Sequence, residues 1–185
     1  MVILSIDITF DTPSFDNHQN SAMSLALQSV HKIKELQMKY TDLRAVVLIV
    51  KKLLAKYGLN KPYSGGLNSY SIVLMTSTFI NAYGVNVQTP HESQNLSEFF
   101  NFLGHFFDPN EMGMDGAQFF QLTPEQQSQN EHMWILDIQN EENNTARTAF
   151  RIHEILAVFR QAFQIMMSEL QSYADGIRAN PGEAA

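Results

Sequence analysis

Residues 58–75 read GLNKPYSGGLNSYSIVLM, with two glycines set between the end of one apolar run and the start of another. Upstream, residues 43, 46, 47, 50, 53, 54 and 57 of LRAVVLIVKKLLAKY fall on one arc at helical spacing. The pattern predicts a helix with Thr41 or Asp42 as cap and Gly58 in the position after its end. Leu48 and Ile49 widen the apolar arc, so this helix is expected to be largely buried. Downstream, residues 67–82 are apolar almost all round and predict a second buried helix. Two readings of Gly65 and Gly66 compete. They turn a corner between the helices, using dihedrals closed to other residues. Alternatively, they bring a ligand against the second helix's N-terminus, where free N–H groups and the helix dipole favour an anion. Ser69 and Tyr70 add a hydroxyl and a flat ring at that point. Lys51 lies at the border of the buried arc, whereas Lys52 and Lys56 project away as solvated charges. Glycines, hydroxyl, ring and lysine together describe a nucleoside triphosphate pocket, though not a P-loop, because G-x-x-x-x-G-K-[ST] is absent.

Outward from this stretch the chain predicts mostly helix. MVILSIDITF at the N-terminus alternates, with Val2, Leu4, Ile6, Ile8 and Phe10 on one face and Asp7 on the other, as in a strand. A polar loop follows, then a helix from about Ser21 to Tyr40. NLSEFFNFLGHFF at 95–107 predicts a short aromatic helix. Residues 108–131, rich in Gly, Pro, Asn and Gln, predict loop with one short strand near Met112–Met114. HMWILDI at 132–138 predicts a strand. The segment from Ala146 to Tyr173 predicts a long amphipathic helix with its buried stripe at 152, 155, 156, 159, 163, 166, 170 and 173. Asn144 or Thr145 would cap it. Residues 174–185 are expected to fray. The fold class is therefore mostly α with minor β (α+β).

Composition bounds the function. The chain has 185 residues, 44% of them hydrophobic and 17% charged, which is globular. Its net charge of −7 argues against a broad electrostatic grip on nucleic acid. There are no cysteines, hence no disulfides or Cys-based zinc sites, which fits an intracellular protein of nucleus or cytoplasm. No run of about 18 uncharged apolar residues predicts a membrane span. The six histidines form no H-x-x-x-H pair, and DPNEMG at 108–113 fails as a calcium loop because Met112 occupies a ligand position and Phe119 the terminal one.

SIDITF, LRAVVLIVKKLLAKYGLNKPYSGGLNSYSIVLM, NLSEFFNFLGHFF and LDIQNEENNTARTAFRIHEILAVFRQAF, in this order along the chain, resemble the DNA-polymerase-β-like terminal nucleotidyltransferases. These are the Trf-type poly(A) polymerases and terminal uridylyltransferases. The resemblance spans residues 1–170. It implies a palm remnant at 1–20, a helical central and poly(A)-polymerase-associated domain at 21–173, and a flexible tail at 174–185. It implies template-independent addition of AMP from ATP to RNA 3′ ends by two-metal phosphoryl transfer with Mg²⁺ or Mn²⁺. By the same resemblance Asp7 is the third metal-site carboxylate and Lys51 neutralises the triphosphate. Ser69 bonds a phosphate oxygen, Tyr70 stacks on the base, and Asp137 and Asn143 read it. The chain departs from the family pattern in several places. Ile138 stands where proline is usual, and Ala55 where uridylyltransferases carry a second lysine. Asn143 stands where those enzymes carry histidine. No Asp-x-Asp or Asp-x-Glu pair occurs anywhere, and one Asp cannot hold two metal ions. Alone, the chain is therefore expected to be inactive, needing the other palm half or a partner protein. The alternatives are a uridylyltransferase and a non-catalytic subunit of an RNA-processing complex.

Overall fold

The computed structural model describes residues 22–83, 92–129 and 132–179. The N-terminal strand and Asp7 lie outside these residues. The chain divides into two compact units, residues 1–39 and 40–185. In the first, helix α1 runs Ala22–Lys39, within the stretch its periodicity predicts, and carries a Lys32–Glu35 ion pair of 2.9 Å one turn apart.

The second unit is built on four helices: α2 (Leu43–Lys56), α3 (Ser69–Tyr83), α4 (Glu92–Asn101) and α6 (Ile152–Ala179), with a short α5 (Pro124–Ser128) on a loop. Helix α2 buries Leu43, Val46, Val47, Val50 and Leu54. Leu48 and Ile49 do not follow them inward; both are exposed, so α2 is buried on its predicted arc alone. It ends as its sequence predicts. Gly58 has φ 66°, its N–H donates to Ala55 O at 3.1 Å, and Leu59 N–H reaches back to Leu54 O at 2.8 Å. That pair of bonds is the Schellman closure, which satisfies the last carbonyls.

Helix α3 is the centre of the core, with every residue from Ser71 to Ile80 buried. Its buried hydroxyls are all engaged, as a dry interior requires. Thr76 donates to Ile72 O at 2.8 Å, Ser77 donates to Gly116 O at 2.6 Å, and Thr78 Oγ1 accepts from Gly116 N–H at 2.8 Å. The last two bonds fasten the turn of an antiparallel hairpin, β1 (Met112–Met114) with β2 (Phe119–Gln121), to α3. Phe79 meets Phe99 of α4 edge to face at 5.4 Å, and Phe99 meets Phe159 of α6 at 5.6 Å, so aromatic contacts link three helices. After Asn101 the chain widens into a π turn, Phe102–Phe106, closed by Phe107 N–H on Phe102 O at 2.9 Å. A Cβ on Gly104 would lie 2.7 Å from Arg160 backbone atoms, so this turn rests directly on α6.

A second hairpin pairs β3 (Leu136–Asp137) with β4 (Asn140–Asn144), and Ile135 bridges in parallel to Met114. Helix α6 begins at Ile152, six residues later than predicted from Ala146. Thr145 N–H and side chain are both given to Ile135 O, and residues 145–151 form turns. Asn144 and Thr145 are thus not its cap. The predicted stripe of α6 is buried at Ile152, Ile155, Leu156 and Phe159, but Leu170 and Tyr173 are exposed, and the helix runs on to Ala179. Among the described residues no helix is long and apolar enough to cross a membrane.

Candidate functional site

The two glycines are explained first by the corner they turn. After Gly58 the chain makes a 3-10 turn, Pro62–Ser64, ended by Gly65 at φ 82°, in the left-handed region that favours glycine. A Cβ on Gly65 would sit 2.5 Å from the Phe150 ring. One on Gly66 would sit 2.3 Å from the carbonyl carbon and oxygen of Leu59. The backbone closes on itself here. Leu67 N–H donates to Leu59 O at 2.9 Å, Gly66 N–H to Lys61 O at 3.0 Å, and Arg151 N–H to Gly65 O at 3.1 Å.

The corner delivers Asn68 to the start of α3, where it caps the helix. Its Oδ1 accepts from Ser71 N–H at 2.7 Å, and its Nδ2 donates to Thr145 O at 2.8 Å. Ser71 Oγ lies 3.0 Å from Thr145 O and 2.9 Å from Thr145 Oγ1. A polar seam therefore ties the first turn of α3 to the end of β4. Neither Asn68, Ser71 nor Thr145 stood out as a site residue in the sequence, although Asn three residues before Ser at the head of an apolar run is a cap signal.

The seam sets three of the expected site residues side by side. Tyr70 Oη donates to Asp137 Oδ1 at 2.9 Å, and Asn143 Nδ2 donates to Asp137 Oδ2 at 3.2 Å. Gln139 N–H also donates to Asp137 Oδ1, at 3.0 Å. All three side chains are half-buried. Asp137 can act as their hub because a carboxylate only accepts, while Tyr70 and Asn143 each bring a donor. With its Nδ2 spent on Asp137, Asn143 keeps its Oδ1 as an acceptor. Ser69, the first residue of α3, is exposed next to this cluster. Lys51 is half-buried on α2, and no bond among the described residues links it to Tyr70, Asp137 or Asn143. No group of three or more His, Asp or Glu able to hold a metal ion occurs among the described residues.

No family model matches the chain. It is 24% identical over 179 residues to the Caenorhabditis elegans poly(A) RNA polymerase gld-4, covering 89% of this chain and 20% of that protein. The Drosophila melanogaster protein Trf4-2, described as an inactive non-canonical poly(A) RNA polymerase, is 29% identical over 99 residues, covering 51% of this chain and 24% of that protein. Among solved structures, the polymerase core of TRAMP, an RNA surveillance complex, superposes with a TM-score of 0.66 at 27% identity. That match covers 76% of this chain and 47% of the TRAMP chain. The chain thus spans about a fifth to a quarter of the curated relatives it matches. In fold and sequence the chain is similar to polymerase-type nucleotidyltransferases, and within that class to the Trf-type poly(A) polymerases.

Proposed function

We propose that this chain is the nucleotide-binding helical part of an enzyme that adds nucleotides, AMP from ATP in preference, to RNA 3′ ends. The observation that carries the reading is the convergence of Tyr70, Asp137 and Asn143 at the first turn of α3. There the Tyr70 ring offers a face for a base, and Asp137 holds ring and amide in fixed relation. Asn143 Oδ1 is left to accept from an exocyclic amino group, which adenine has and uracil lacks. Ser69, at the helix start, supports a phosphate oxygen, and the positive end of the α3 dipole favours the triphosphate. Lys51 neutralises phosphate charge in this reading.

Phosphoryl transfer in this class is expected to use Mg²⁺ or Mn²⁺, which supplies charge neutralisation at the transferring phosphate. The described residues do not fit such a site, since they contain no cluster of three ligating side chains. Asp7 lies outside them, and the sequence holds no Asp-x-Asp pair. The chain's own residues therefore bind and orient the nucleotide, and the other carboxylates are to be supplied by a palm half or partner within an RNA-processing complex. A second reading, a non-catalytic subunit of such a complex, is favoured by that same missing pair and by the likeness to an inactive relative.

Calorimetric titration of the chain with ATP and UTP separately tests the base assignment, for wild type and Asn143→His. ATP is expected to bind more tightly than UTP, and Asn143→His to shift the ratio towards UTP. Tighter UTP binding by wild type, or an unmoved ratio, would replace the ATP reading with the uridylyltransferase one. Primer extension with ATP and Mg²⁺ by the chain alone is expected to give no product. Robust extension would overturn the division of labour.

A further inference from the structure

The acidic total conceals a basic stretch. Residues 43–91 hold Arg44, Lys51, Lys52, Lys56 and Lys61 and no Asp or Glu, although the chain as a whole carries −7. The corner between α2 and α3 concentrates part of this charge beside exposed rings. Tyr63 is 80% exposed, Phe150 58% and Tyr57 38%. Lys61 Nζ lies over the Tyr63 ring at 5.8 Å from its centroid, and Lys56 Nζ over the Tyr57 ring at the same distance. The corner rests on the start of α6. Gly65 packs against the Phe150 ring, Arg151 N–H donates to Gly65 O at 3.1 Å, and Arg151 Nη1 reaches Gly58 O at 3.4 Å. The Phe150 ring packs on Gly65, two residues after Tyr63, so both exposed rings belong to this corner, with Lys61 over Tyr63, Lys56 over Tyr57, and the exposed Arg147 three residues before Phe150. Arg151 is committed to Glu154 at 2.6 Å and is not counted among the available cations. Exposed rings flanked by lysines offer stacking faces and positive charge to an occupant with flat faces and negative charge.

We infer that this corner is a docking surface for single-stranded RNA, separate from the Tyr70–Asp137–Asn143 cluster. Unpaired bases stack on Tyr63 and Phe150 while Lys56, Lys61 and Arg147 meet the phosphates. Stacking on aromatic side chains combined with a positively charged track is the physical basis of binding single strands without sequence preference. A duplex keeps its bases stacked on one another and offers the rings nothing. The surface also adjoins the polar seam, since Gly65 leads through Leu67 to Asn68, and Thr145 leads to Arg147 and Phe150. An RNA held here would lie along the same two segments that build the base-binding cluster. The inference takes the identity of its polymer from the RNA-tailing reading, but the binding it describes requires no catalysis.

The test is fluorescence anisotropy of a labelled, unstructured RNA of about twelve nucleotides titrated with the 185-residue chain. It is run at about 50 mM and about 200 mM salt. Tyr63→Ala is expected to weaken binding about tenfold, the size of one lost stacking contact. Lys56→Glu with Lys61→Glu should weaken it further and reduce the salt slope by about 1 to 2, as two lost phosphate contacts require. Tyr173→Ala, another well-exposed tyrosine, far along α6, should change nothing. Circular dichroism checks that each variant is folded, and the charge-reversal pair decides the matter should Tyr63→Ala misfold. Absence of RNA binding, wild-type affinity in the patch variants, or a change in self-association instead of RNA affinity would each overturn the inference. A parallel ATP titration separates the two readings. RNA binding that depends on the patch, with no ATP binding, strikes the proposed function and leaves this surface standing; ATP binding without RNA binding does the reverse.

Discussion

Replacing Gly66 by alanine asks what the glycine pair is for. A Cβ at residue 66 would stand 2.3 Å from Leu59's carbonyl carbon and oxygen, where ordinary contact begins at 3.4 Å. The obstacle is backbone, so no side-chain rotation relieves it, and the two segments must part by about 1 Å, straining the bonds Leu67 N–H to Leu59 O and Gly66 N–H to Lys61 O. Overpacking costs about 1–3 kcal/mol and each weakened hydrogen bond up to about 1, giving a loss of about 2–4 kcal/mol. That corresponds to a fall in Tm of roughly 6–12 °C for a unit of this size. Gly58→Ala is the internal reference. It also has a left-handed φ, 66°, but its Cβ would meet nothing within 4 Å, so only the dihedral penalty of about 1 kcal/mol applies. Gly65→Ala combines both terms, with φ 82° and the Phe150 ring at 2.5 Å, though that ring is free to swing towards solvent. Urea denaturation of the three variants, followed by circular dichroism without any nucleotide, measures the series. If Gly66→Ala is no more destabilising than Gly58→Ala, the close approach is not what fixes the glycine. If it leaves stability untouched while abolishing ATP binding, the glycines serve the ligand and the corner argument fails.

Three further outcomes follow from named contacts. Asn68→Ala removes the cap of α3 and its bond to Thr145 O, and should cost about 1–2 kcal/mol in the same denaturation assay; a loss near zero would show that the seam does not hold α3. Tyr70→Phe keeps the ring but deprives Asp137 of a donor, so stability should fall by about 1 kcal/mol and ATP affinity several-fold by calorimetry; unchanged affinity would show that ring orientation is set elsewhere. Arg151, hydrogen-bonded to Glu154, holds that carboxyl below its ordinary range. A lowered folded-state pKa contributes stability above the unfolded value and loses it as pH falls through the folded one. The urea-midpoint difference between wild type and Glu154→Gln should therefore be present at neutral pH and close in acid, and a difference that persists there would refute the pairing.

The helices were legible because periodicity reports burial directly. The arc of α2 is buried at Leu43, Val46, Val47, Val50 and Leu54 though not at Tyr57, the all-round apolar α3 is buried from Ser71 to Ile80, and α4 buries Phe99 and Phe100. Leu48, Ile49, Leu170 and Tyr173 show the limit of that signal, since an apolar residue at helical spacing states that it can be buried, not that a partner is present. The start of α6 was misplaced because residues 146–151 carry no pattern against helix; Thr145's bonds to Ile135 decide it, and a contact between segments ten residues apart is invisible to a local reading. The strands β2 and β4 were missed for the same reason, being short and polar in NEENN, where pairing with β3 supplies what propensity does not. Asp137 and Asn143 entered the sequence reading through resemblance alone, whereas Tyr70 stood out as a flat ring at the head of a helix. Their three-way contact joins positions 67 and 73 residues apart, a spacing no motif spells.

The glycine pair and the charge balance looked like separate puzzles in the sequence, and one feature of the fold bears on both. Because Gly65 and Gly66 let the chain fold back tightly between α2 and α3, the same few residues must present opposite sides to different surroundings. The inner side, through Leu67, Asn68 and Ser71, is bonded to Leu59 and Thr145, and it fixes where Tyr70 meets Asp137. The outer side, through Lys61, Tyr63 and the ring of Phe150, stays in water. A net charge of −7 constrains a long-range grip on RNA but not a local one, since fields of exposed charges fade over about 8 Å at physiological salt. Over that range what counts is the charge beside the corner, where Lys56 and Lys61 stand over exposed rings and Arg151 and Glu154 offset each other, not the total. The corner therefore has a stability role and a recognition role that different substitutions separate: Gly66→Ala loosens the inner side, and Tyr63→Ala removes the outer one while leaving the inner bonds in place.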